Sequence, residues 1–508
     1  MTRQPSPSLP RRVRPVVGTI STWVGIGLIG VICVYLGLVS WLTEAFRRWL
    51  GTTETGLYSH PILVVLGAMM LVSLAAATVI RIPLRLSRAG AWASHLGVLV
   101  LAGGSAWYVF AKVGGHTATF WTPAGWTPIR WMYLKDTYAV YLWSEGRDDA
   151  VETILPIHLA VSDQPQALDV PLAGAGRGAA IRVVGYHPQV RITEETWRNN
   201  SPAEAPAVTL ELGQGRHAAQ ITLSQGQRPR AFLRMEEYLL YYHSSPPPDA
   251  IARLRELAAA AQDKGRTFTP VVISGAKAPL QCMALGPDGP TWKGELPAGQ
   301  LVAVPLGRRS LALRLIRTLS HAARHYQIAP VHPSVTPKPG GSVLRAVHVK
   351  VSSGSGSRML WVPYDECQVS TDPVVVDLGG GRKVRLRFSR VRKPLPGTVQ
   401  MHTAEYLTHP GMRSPRDYRS EVSIAAGGTT RDEVLNLNNP IMVGPYQLIQ
   451  SNWQFFQAQS TEASHIFLEV RNRPGLWLIW VGCWLICLGF LYAFYVKPLL
   501  VRHRRARP

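Results

Sequence analysis

The residue that most clearly suggests chemistry is a histidine inside an apolar segment. His95 lies in residues 91–110, a stretch that contains no charged side chain. A titratable group in such a segment is costly unless it faces protein, water or a metal. Neutral imidazole is a good ligand for transition metals, haem iron included. Two interpretations of His95 therefore stay open, an axial metal ligand or a partner in a helix–helix hydrogen bond.

Two further histidines flank the apolar segments. His60 precedes Pro61, and His116 follows the segment that contains His95. Both are weaker ligand candidates, because histidines beside a membrane are usually amphipathic side chains that cover the interface. Nearby aromatic residues favour an interfacial belt over a cofactor site. They are Trp107, Tyr108, Trp121, Trp126 and Trp131.

The sequence offers little other catalytic machinery. Its five cysteines include no C-x-x-C and no C-x-x-C-H, which disfavours a thioredoxin-like centre, a zinc ribbon and covalent haem attachment. We expect Cys33, Cys483 and Cys487 to pack as small apolar residues, whereas Cys282 and Cys367 would be able to pair in an oxidising compartment. No serine–histidine–aspartate order or P-loop is present, and residues 379–381 suggest a hairpin turn. No enzymatic activity of the chain alone is predicted.

Four apolar segments must position these residues. The chain has 508 residues, 46% apolar and 17% charged, which excludes a disordered protein and is too polar for an all-membrane transporter. Residues 16–42, 61–80, 91–110 and 475–496 are each long enough to cross a bilayer. The first lacks a cleavage site and is predicted to be a retained helix, not a signal peptide.

Basic residues predict the orientation of these spans. Three segments outside the spans are basic and contain no acidic residue, so the positive-inside rule places all three in the cytoplasm. Much of the formal net charge of +23 is thereby explained by topology, which makes nucleic-acid binding a poor interpretation. The residues are Arg3, Arg11, Arg12, Arg14, Arg81, Arg85, Arg88, Lys497, Arg502, Arg504, Arg505 and Arg507.

The predicted fold is a membrane protein with four transmembrane α-helices, three N-terminal and one C-terminal, and a large mainly-β extracytoplasmic domain. Its parts are a basic tail (1–15), a three-helix region (16–112), the β-rich domain (113–474), the last helix (475–496) and a second basic tail (497–508).

Short alternating runs dominate the β-rich domain. They predict hairpins at 208–223 and 345–363 and a helix at 249–264. A weak repeat of one strand followed by a hairpin begins near Ala179, Leu311 and Lys383. It suggests stacked β-units in one continuous domain, although a division into two lobes near 246–264 stays open.

Several segments resemble the ResB (CcsB) family of cytochrome c biogenesis proteins, also called System II. S-H-P-I-L-V-V-L-G-A-M-M at Ser59 is similar to the family's second span, and A-W-A-S-H-L-G-V-L at Ala91, with the element His95-Leu-Gly, to its third. Residues 410–424 and 437–455 resemble its last strand pairs, and R-P-G-L-W-L-I-W at Arg473 its entry into the final span. The resemblance covers both ends of the chain well and residues 111–308 poorly.

This resemblance implies a subunit of a haem-export and cytochrome c assembly complex in the bacterial inner membrane. The chain would present apocytochrome c to a ResC/CcsA-type partner, forming a cytochrome c synthase (haem lyase) without being catalytic alone. Haem b would be shared with that partner, with His95 as one axial ligand and the second ligand from the partner. Asn439, Asp417 and Gln450, in the family-like region, are expected to have structural roles.

Two rival functions remain. One is a membrane-anchored envelope structural or binding protein with no haem role. The other is a small-molecule transporter, which is disfavoured because four spans show no inverted repeat.

Overall fold

The computed structural model describes residues 13–50, 52, 56–57, 59–144, 149–157, 165–174, 179–201, 204–213, 218–225, 232–235, 237–263, 268–331, 344–353, 356–368, 373–410, 415–455 and 463–500. The predicted basic tails lie largely outside these residues. The chain forms two compact units, a helical unit made of residues 1–113 and 472–508 and a β unit that covers residues 114–157 and 162–471.

Six α-helices are present in the described residues. They are α1 (Val13–Trp41), α2 (Thr43–Leu50), α3 (Pro61–Arg81), α4 (Ala89–Ala111), α5 (Pro248–Asp263) and α6 (Leu476–Leu491). Short 3₁₀ turns at Leu86–Arg88 and Glu366–Gln368 and a π-helical turn at Tyr492–Val496 complete the helical structure.

The four predicted spans are confirmed. Four helical segments are long and apolar enough to cross a membrane: Trp23–Trp41 in α1, Pro61–Arg81 (α3), Leu86–Ala111, which includes α4, and Leu476–Leu500, which continues α6 through the π-helical turn. The protein is therefore a membrane protein with three N-terminal spans, one C-terminal span and a large, mostly β remainder.

Glycines at intervals of seven residues pack α4 against α6. Each glycine of α4 lies opposite a glycine of α6 or of its N-cap. The pairs are Gly90 with Gly489, Gly97 with Gly482, and Gly104 with the N-cap residue Gly475. A Cβ atom built on Gly97 would lie 2.8 Å from the carbonyl oxygen of Gly482, so only glycine fits this approach. Small residues that let two backbones come this close are typical of helix pairs in membranes.

Asn472 joins the ends of these two helices. Its Oδ1 accepts a hydrogen bond from the backbone N–H of Val113 at 2.6 Å, and its Nδ2 donates to the carbonyl of Ala111 at 3.1 Å. The side chain thus satisfies the Ala111 carbonyl, which the C-terminus of α4 leaves without a helical partner, and the N–H of Val113 two residues beyond it.

The β unit contains the strands. They are β1 (Gly114–Thr122), β2 (Gly125–Trp126), β3 (Ile129–Ser144), β4 (Val151–Leu155), β5 (Gln166–Pro171), β6 (Ala179–Asn199), β7 (Ala207–Leu212), β8 (Ala219–Ser224), β9 (Phe232–Arg234), β10 (Tyr238–His243), β11 (Thr269–Ser274), β12 (Leu280–Leu285), β13 (Pro290–Leu296), β14 (Leu301–Leu306), β15 (Arg309–Leu319), β16 (Ala322–Pro330), β17 (Leu344–Ser353), β18 (Gly356–Pro363), β19 (Val374–Gly379), β20 (Arg382–Thr408), β21 (Pro415–Ala426), β22 (Thr429–Leu435), β23 (Ile441–Val443), β24 (Tyr446–Phe455) and β25 (Ala463–Asn472).

These strands form four sheets. The largest has the order β22-β21-β20-β3-β1-β25-β24-β23, with β19, β2 and β4 paired at its side. A second sheet has the order β16-β6-β17-β18, with β5 paired to β6, and the remaining two are β14-β15-β7-β8 and β13-β12-β11-β10-β9. Strand β10 pairs with β11 in parallel, whereas the central pairings of the first two sheets, such as β6 with β17 and β3 with β20, are antiparallel.

The last two of these sheets form an insertion with its own core. Residues 207–319 supply both sheets, and apolar side chains from the two, including Leu210, Tyr242 and Leu313, form one buried cluster. The chain leaves the second sheet at Asn199 and re-enters it at Ala322, its direct partner in the register. Helix α5 therefore lies inside an insertion and does not mark a boundary between two lobes.

The local predictions are confirmed, but the repeat is not a set of stacked units. The hairpins β7–β8 and β17–β18, helix α5 and the turn at residues 379–381 form as expected. The three proposed repeat strands are β6, β15 and β20. However, β6 pairs with β17 and β15 pairs with β7, so the first two proposed units exchange partners across the insertion. The spacing of the motifs along the chain did not reveal that one set of strand pairs is inserted inside the other.

Candidate functional site

His95 lies in α4 and points to α3. Its Nδ1 is 2.7 Å from Oγ1 of Thr78, which is buried near the end of α3. Six residues separate His95 from the first residue of α4, which places it about 9 Å from that helix end. Arg81, the last residue of α3, and Arg85 and Arg88 in the connection to α4 lie at the same end.

Thr78 selects the tautomer of the imidazole. The Thr78 hydroxyl donates its single proton to the carbonyl oxygen of Leu74 at 2.6 Å, so towards His95 it acts as an acceptor. Nδ1 of His95 therefore carries the proton, and Nε2 of the neutral ring keeps its lone pair. An imidazole whose other nitrogen donates to an oxygen is the usual arrangement of a metal ligand.

His95 and the glycines occupy opposite faces of α4. At about 100° per residue, position 95 lies roughly 160° from position 97 around the helix axis. The glycine face is covered by α6, which leaves the histidine face to α3. On the histidine side, one turn earlier, the buried Nε1 of Trp92 has no hydrogen-bond partner among the described residues.

These features fit one axial position of a haem, and among the described residues of the helical unit no second histidine lies beside His95. His60 is the N-cap residue of α3, where its Nδ1 accepts from the backbone N–H of Ile62 at 3.4 Å. Thr78 lies 18 residues further along α3, about 27 Å away. His60 and His95 are thus at opposite ends of this helix.

His116 belongs to the β unit, on strand β1. Its Nδ1 accepts from Nη1 of Arg390 at 2.9 Å, and Nη2 of Arg390 lies 3.6 Å from a carboxylate oxygen of Glu366. Burial, and next the charge of Arg390, lower the pKa of His116 below its usual value. Its neutral ring then carries its proton on Nε2, and Nδ1 is occupied by the Arg390 hydrogen bond, so neither nitrogen offers a lone pair to a metal.

The predicted aromatic belt is wrong for two of its members. Trp121 and Trp126 face each other across the β1–β2 hairpin, each only 8% exposed, in the interior of the β unit. Trp121 also packs edge-to-face against Phe232, with ring centroids 5.3 Å apart. Residue type alone did not distinguish an aromatic side chain at a membrane interface from one in a β core. Trp131 is partly exposed, and the guanidinium of Arg392 lies over its ring. Trp107 is exposed on α4.

The cysteines do not form a disulfide. Neither Cys282 nor Cys367 is in a disulfide and both are buried, Cys282 in the core of the insertion and Cys367 in the 3₁₀ turn before β19. Burial raises the pKa of Cys282 to about 12, which keeps the thiol protonated and unreactive. Cys33 and Cys487 are exposed along apolar helices, so they do not pack inside the chain as predicted, and Cys483 is partly buried.

The family-like strands carry structural hydrogen bonds. Nδ2 of Asn439 donates to the carbonyl of Val434, and Oδ1 of Asp417 accepts from the backbone N–H of Tyr418. Nε2 of Gln450 donates to Oγ of Ser420 in a buried position. These contacts agree with the structural roles expected from the sequence.

Sequence reasoning missed the residues that position His95. Thr78 has no distinctive motif, because its role depends on α3 lying beside α4. The heptad spacing of the glycines in both spans was readable and would have predicted that the third and fourth spans pair. In the described part of the chain, no group of three or more His, Cys, Asp or Glu residues could hold a metal ion.

Comparisons with known proteins give a limited result. No protein-family model matches the chain. A curated protein, Protein NrfI of Wolinella succinogenes, is 25% identical over 112 residues. The match covers 22% of this chain and 12% of NrfI, so the chain corresponds to only a small part of that protein.

Proposed function

We propose that this chain is a membrane subunit of a cytochrome c assembly complex and that His95 supplies one axial ligand to a haem b. A ResC/CcsA-type partner would supply the second ligand and most of the haem site. The β unit would lie outside the cytoplasm and present apocytochrome c to that haem. The bacterial inner membrane is the corresponding location.

The hydrogen bond between His95 and Thr78 carries this proposal. It places the Nδ1 proton of His95 on the side of Thr78, so that Nε2 is the ring nitrogen that would bind iron. The resemblance to the ResB family and the short match to NrfI support a broad link to cytochrome c biogenesis. Neither says which residue would touch haem, so the ligand assignment depends on the local geometry.

The contribution of this chain would be positional. A haem held at a fixed place and an extended acceptor polypeptide bound nearby react as if at high local concentration. Bound haem supplies the vinyl groups to which cysteine thiols of the acceptor add. His95 would bind the haem iron, and Thr78 would orient the His95 ring. The close packing of α4 against α6 would keep His95 in place.

The test is to purify the full-length chain together with its membrane partners and to record the absorption spectrum. We expect a Soret band that shifts or weakens in His95→Ala and recovers when imidazole is added. His60→Ala is the matched control and should leave the band unchanged, because His60 caps the far end of α3. If the Soret band of His95→Ala were the same as that of the wild type, the ligand assignment would be contradicted.

The rival function is a membrane-anchored envelope protein that binds no haem. A colourless preparation that retains all its partners would favour it. Labelling that places the β unit on the cytoplasmic side would contradict the assembly role itself.

A further inference from the structure

The largest sheet ends in two strands that follow one another in the chain. Strands β22 and β23 stand first and last in its order, and residues 436–440 join them. In the described part of the chain no ladder of backbone hydrogen bonds pairs β22 with β23. A side chain links them instead, because Nη2 of Arg431 donates to the carbonyl of Met442. The sheet therefore curls until its two end strands meet, and it leaves a seam between them.

Both end strands are shorter than the strands beside them, and this leaves an opening in the seam. The pairing of β22 with β21 stops at Leu435, opposite Ser420. The pairing of β23 with β24 covers only Tyr446 to Leu448. Residues 415–419 of β21 and 449–455 of β24 therefore each have an edge with no strand beside it in the described part of the chain.

Side chains, not backbone groups, cross this opening. Nε2 of Gln450 on β24 donates to Oγ of Ser420 on β21 at 3.0 Å. The rings of Tyr418 on β21 and Trp453 on β24 have centroids 5.0 Å apart. Two strands that meet through the ends of such long side chains stand further apart than the roughly 4.8 Å between paired neighbours. The two edges are therefore not partners of each other.

The alternation along β24 decides which of its backbone groups face the opening. The pair Val443–Tyr446 closes the two-residue turn at 444–445, so these two residues exchange hydrogen bonds across the hairpin. Every second residue after Tyr446 points its N–H and C=O to the same side of the strand. Gln450 and Asn452 therefore direct these groups into the opening.

A buried amide oxygen at the same place also lacks a donor. Gln450 is only 9% exposed, and its Oε1 has no hydrogen-bond partner among the described residues, although its Nε2 is bonded to Ser420. Leaving a buried acceptor without a donor is costly in free energy. This oxygen and the backbone groups of Gln450 and Asn452 all suit a ligand that supplies N–H donors and carbonyl acceptors.

The opposite edge of the opening is protected by its own chain. The two-residue turn at 427–428 sets the alternation of β21, which points the N–H of Tyr418 to the opening, where Oδ1 of Asp417 accepts it at 2.8 Å. The same oxygen accepts from the N–H of Leu437 at 3.3 Å. A charged side chain at an edge blocks pairing with another strand. The exposed edge of β24 has no comparable cap in the described residues.

We propose that an extended polypeptide adds to β24 as a further strand and forms main-chain hydrogen bonds with Gln450 and Asn452. Strand addition gains its affinity from backbone groups, so an unfolded chain is bound with little regard to its sequence. A lipid or a small ion offers no row of alternating donors and acceptors. The inference rests on the proposed function for the identity of this partner, which is the unfolded acceptor polypeptide of cytochrome c assembly.

The test is the binding of a fluorescein-labelled synthetic peptide to the full-length chain in detergent, measured by fluorescence anisotropy. The peptide carries Cys-Ala-Ala-Cys-His between flanking Thr-Lys repeats and is kept reduced. We expect saturable binding. The same peptide with every backbone amide N-methylated should bind at least about tenfold more weakly, because it cannot donate main-chain hydrogen bonds. A peptide with Ser in place of both Cys should bind as well as the parent peptide.

Two proline variants locate the binding edge. Asn452→Pro removes an N–H that faces the opening and should weaken peptide binding by about tenfold. Proline is tolerated at a strand edge whose N–H groups face solvent, so the fold should be kept. Thr430→Pro is the matched control, because this exposed residue of β22 points its N–H away from β21, and binding should be unchanged. Circular dichroism should give both variants the β content of the wild type.

Three results would overturn the inference. They are equal affinity of the wild type and Asn452→Pro, equal affinity of the two peptide backbones, and no saturable binding by the wild type. The haem assignment fails or stands separately. A Soret band that is unchanged in His95→Ala, together with peptide binding that is weakened in Asn452→Pro, would contradict the haem role and uphold the strand site.

Discussion

The two faces of α4 are held in different ways. On one face, three glycines bring the backbone against α6, and a Cβ atom at Gly97 would be within 2.8 Å of backbone and side-chain atoms. On the other face, α3 is joined through the Thr78 hydroxyl to His95. A close backbone contact tolerates no substitution, whereas a side-chain hydrogen bond can be altered while the helices remain in place. The close backbone packing and the hydrogen bond to His95 are thus on opposite faces of one helix.

The largest effect is expected on the glycine face. Gly97→Leu would force a branched side chain into the backbone of α6 and should destabilise the helical unit by about 3 kcal/mol. Unfolding in mixed detergent micelles measures this change. Gly103→Leu is the matched control on the same helix, because nothing lies within 4 Å of a Cβ atom there. Equal effects of the two substitutions would contradict the close packing of α4 and α6.

Thr78→Val tests the opposite face. The substitution keeps the shape of the side chain but removes the acceptor for Nδ1 of His95, so the tautomer is no longer selected. We expect haem affinity to fall by about 10–100-fold, as for other groups that orient a metal ligand. Haem titration of the purified complex measures it. Thr78→Ser should restore most of the affinity, and stability should change little in either variant.

Asn472→Ala examines the ends of the glycine-packed pair. The change removes two hydrogen bonds, to the N–H of Val113 and the carbonyl of Ala111, and should cost about 1–2 kcal/mol of stability. Thermal unfolding followed by circular dichroism measures the loss. Haem binding should be unaffected, because these bonds lie at the end of α4 remote from His95. A change in the Soret band would show that the two faces are not independent.

The smallest effect concerns His116, the histidine whose ring is bonded to a cation. Its folded-state pKa is lowered, so the unfolded chain binds a proton more readily. Stability of the β unit should therefore be full above about pH 6.5 and fall as the pH drops below this value. In His116→Gln the decline between about pH 6.5 and 5 should be shallower. Identical slopes in urea unfolding of both proteins would contradict this assignment.

The positions of the helices were predictable because bilayer crossing imposes a length and a composition on a continuous segment. Local strand pairs such as β7–β8 were predictable for a similar reason, since neighbouring residues and their turn are close in sequence. The nested order of the sheets was not, because the pairing of β6 with β16 and β17 joins residues separated by the whole insertion. Trp121 and Trp126 were misplaced for the same reason, since their surroundings come from distant strands.

The sequence alone determined four apolar helices, a β-rich remainder and a histidine six residues into the third long helix. These features follow from hydrophobicity and local periodicity, which are properties of contiguous residues. Only the tertiary structure decided which face of α4 meets α6, that Thr78 sets the protonated nitrogen of His95, and that Gln450 bonds to Ser420 beside the open edge of β24. Each of these depends on side chains from separate segments meeting in space, and hydrogen bonds and ring contacts act only over a few ångströms.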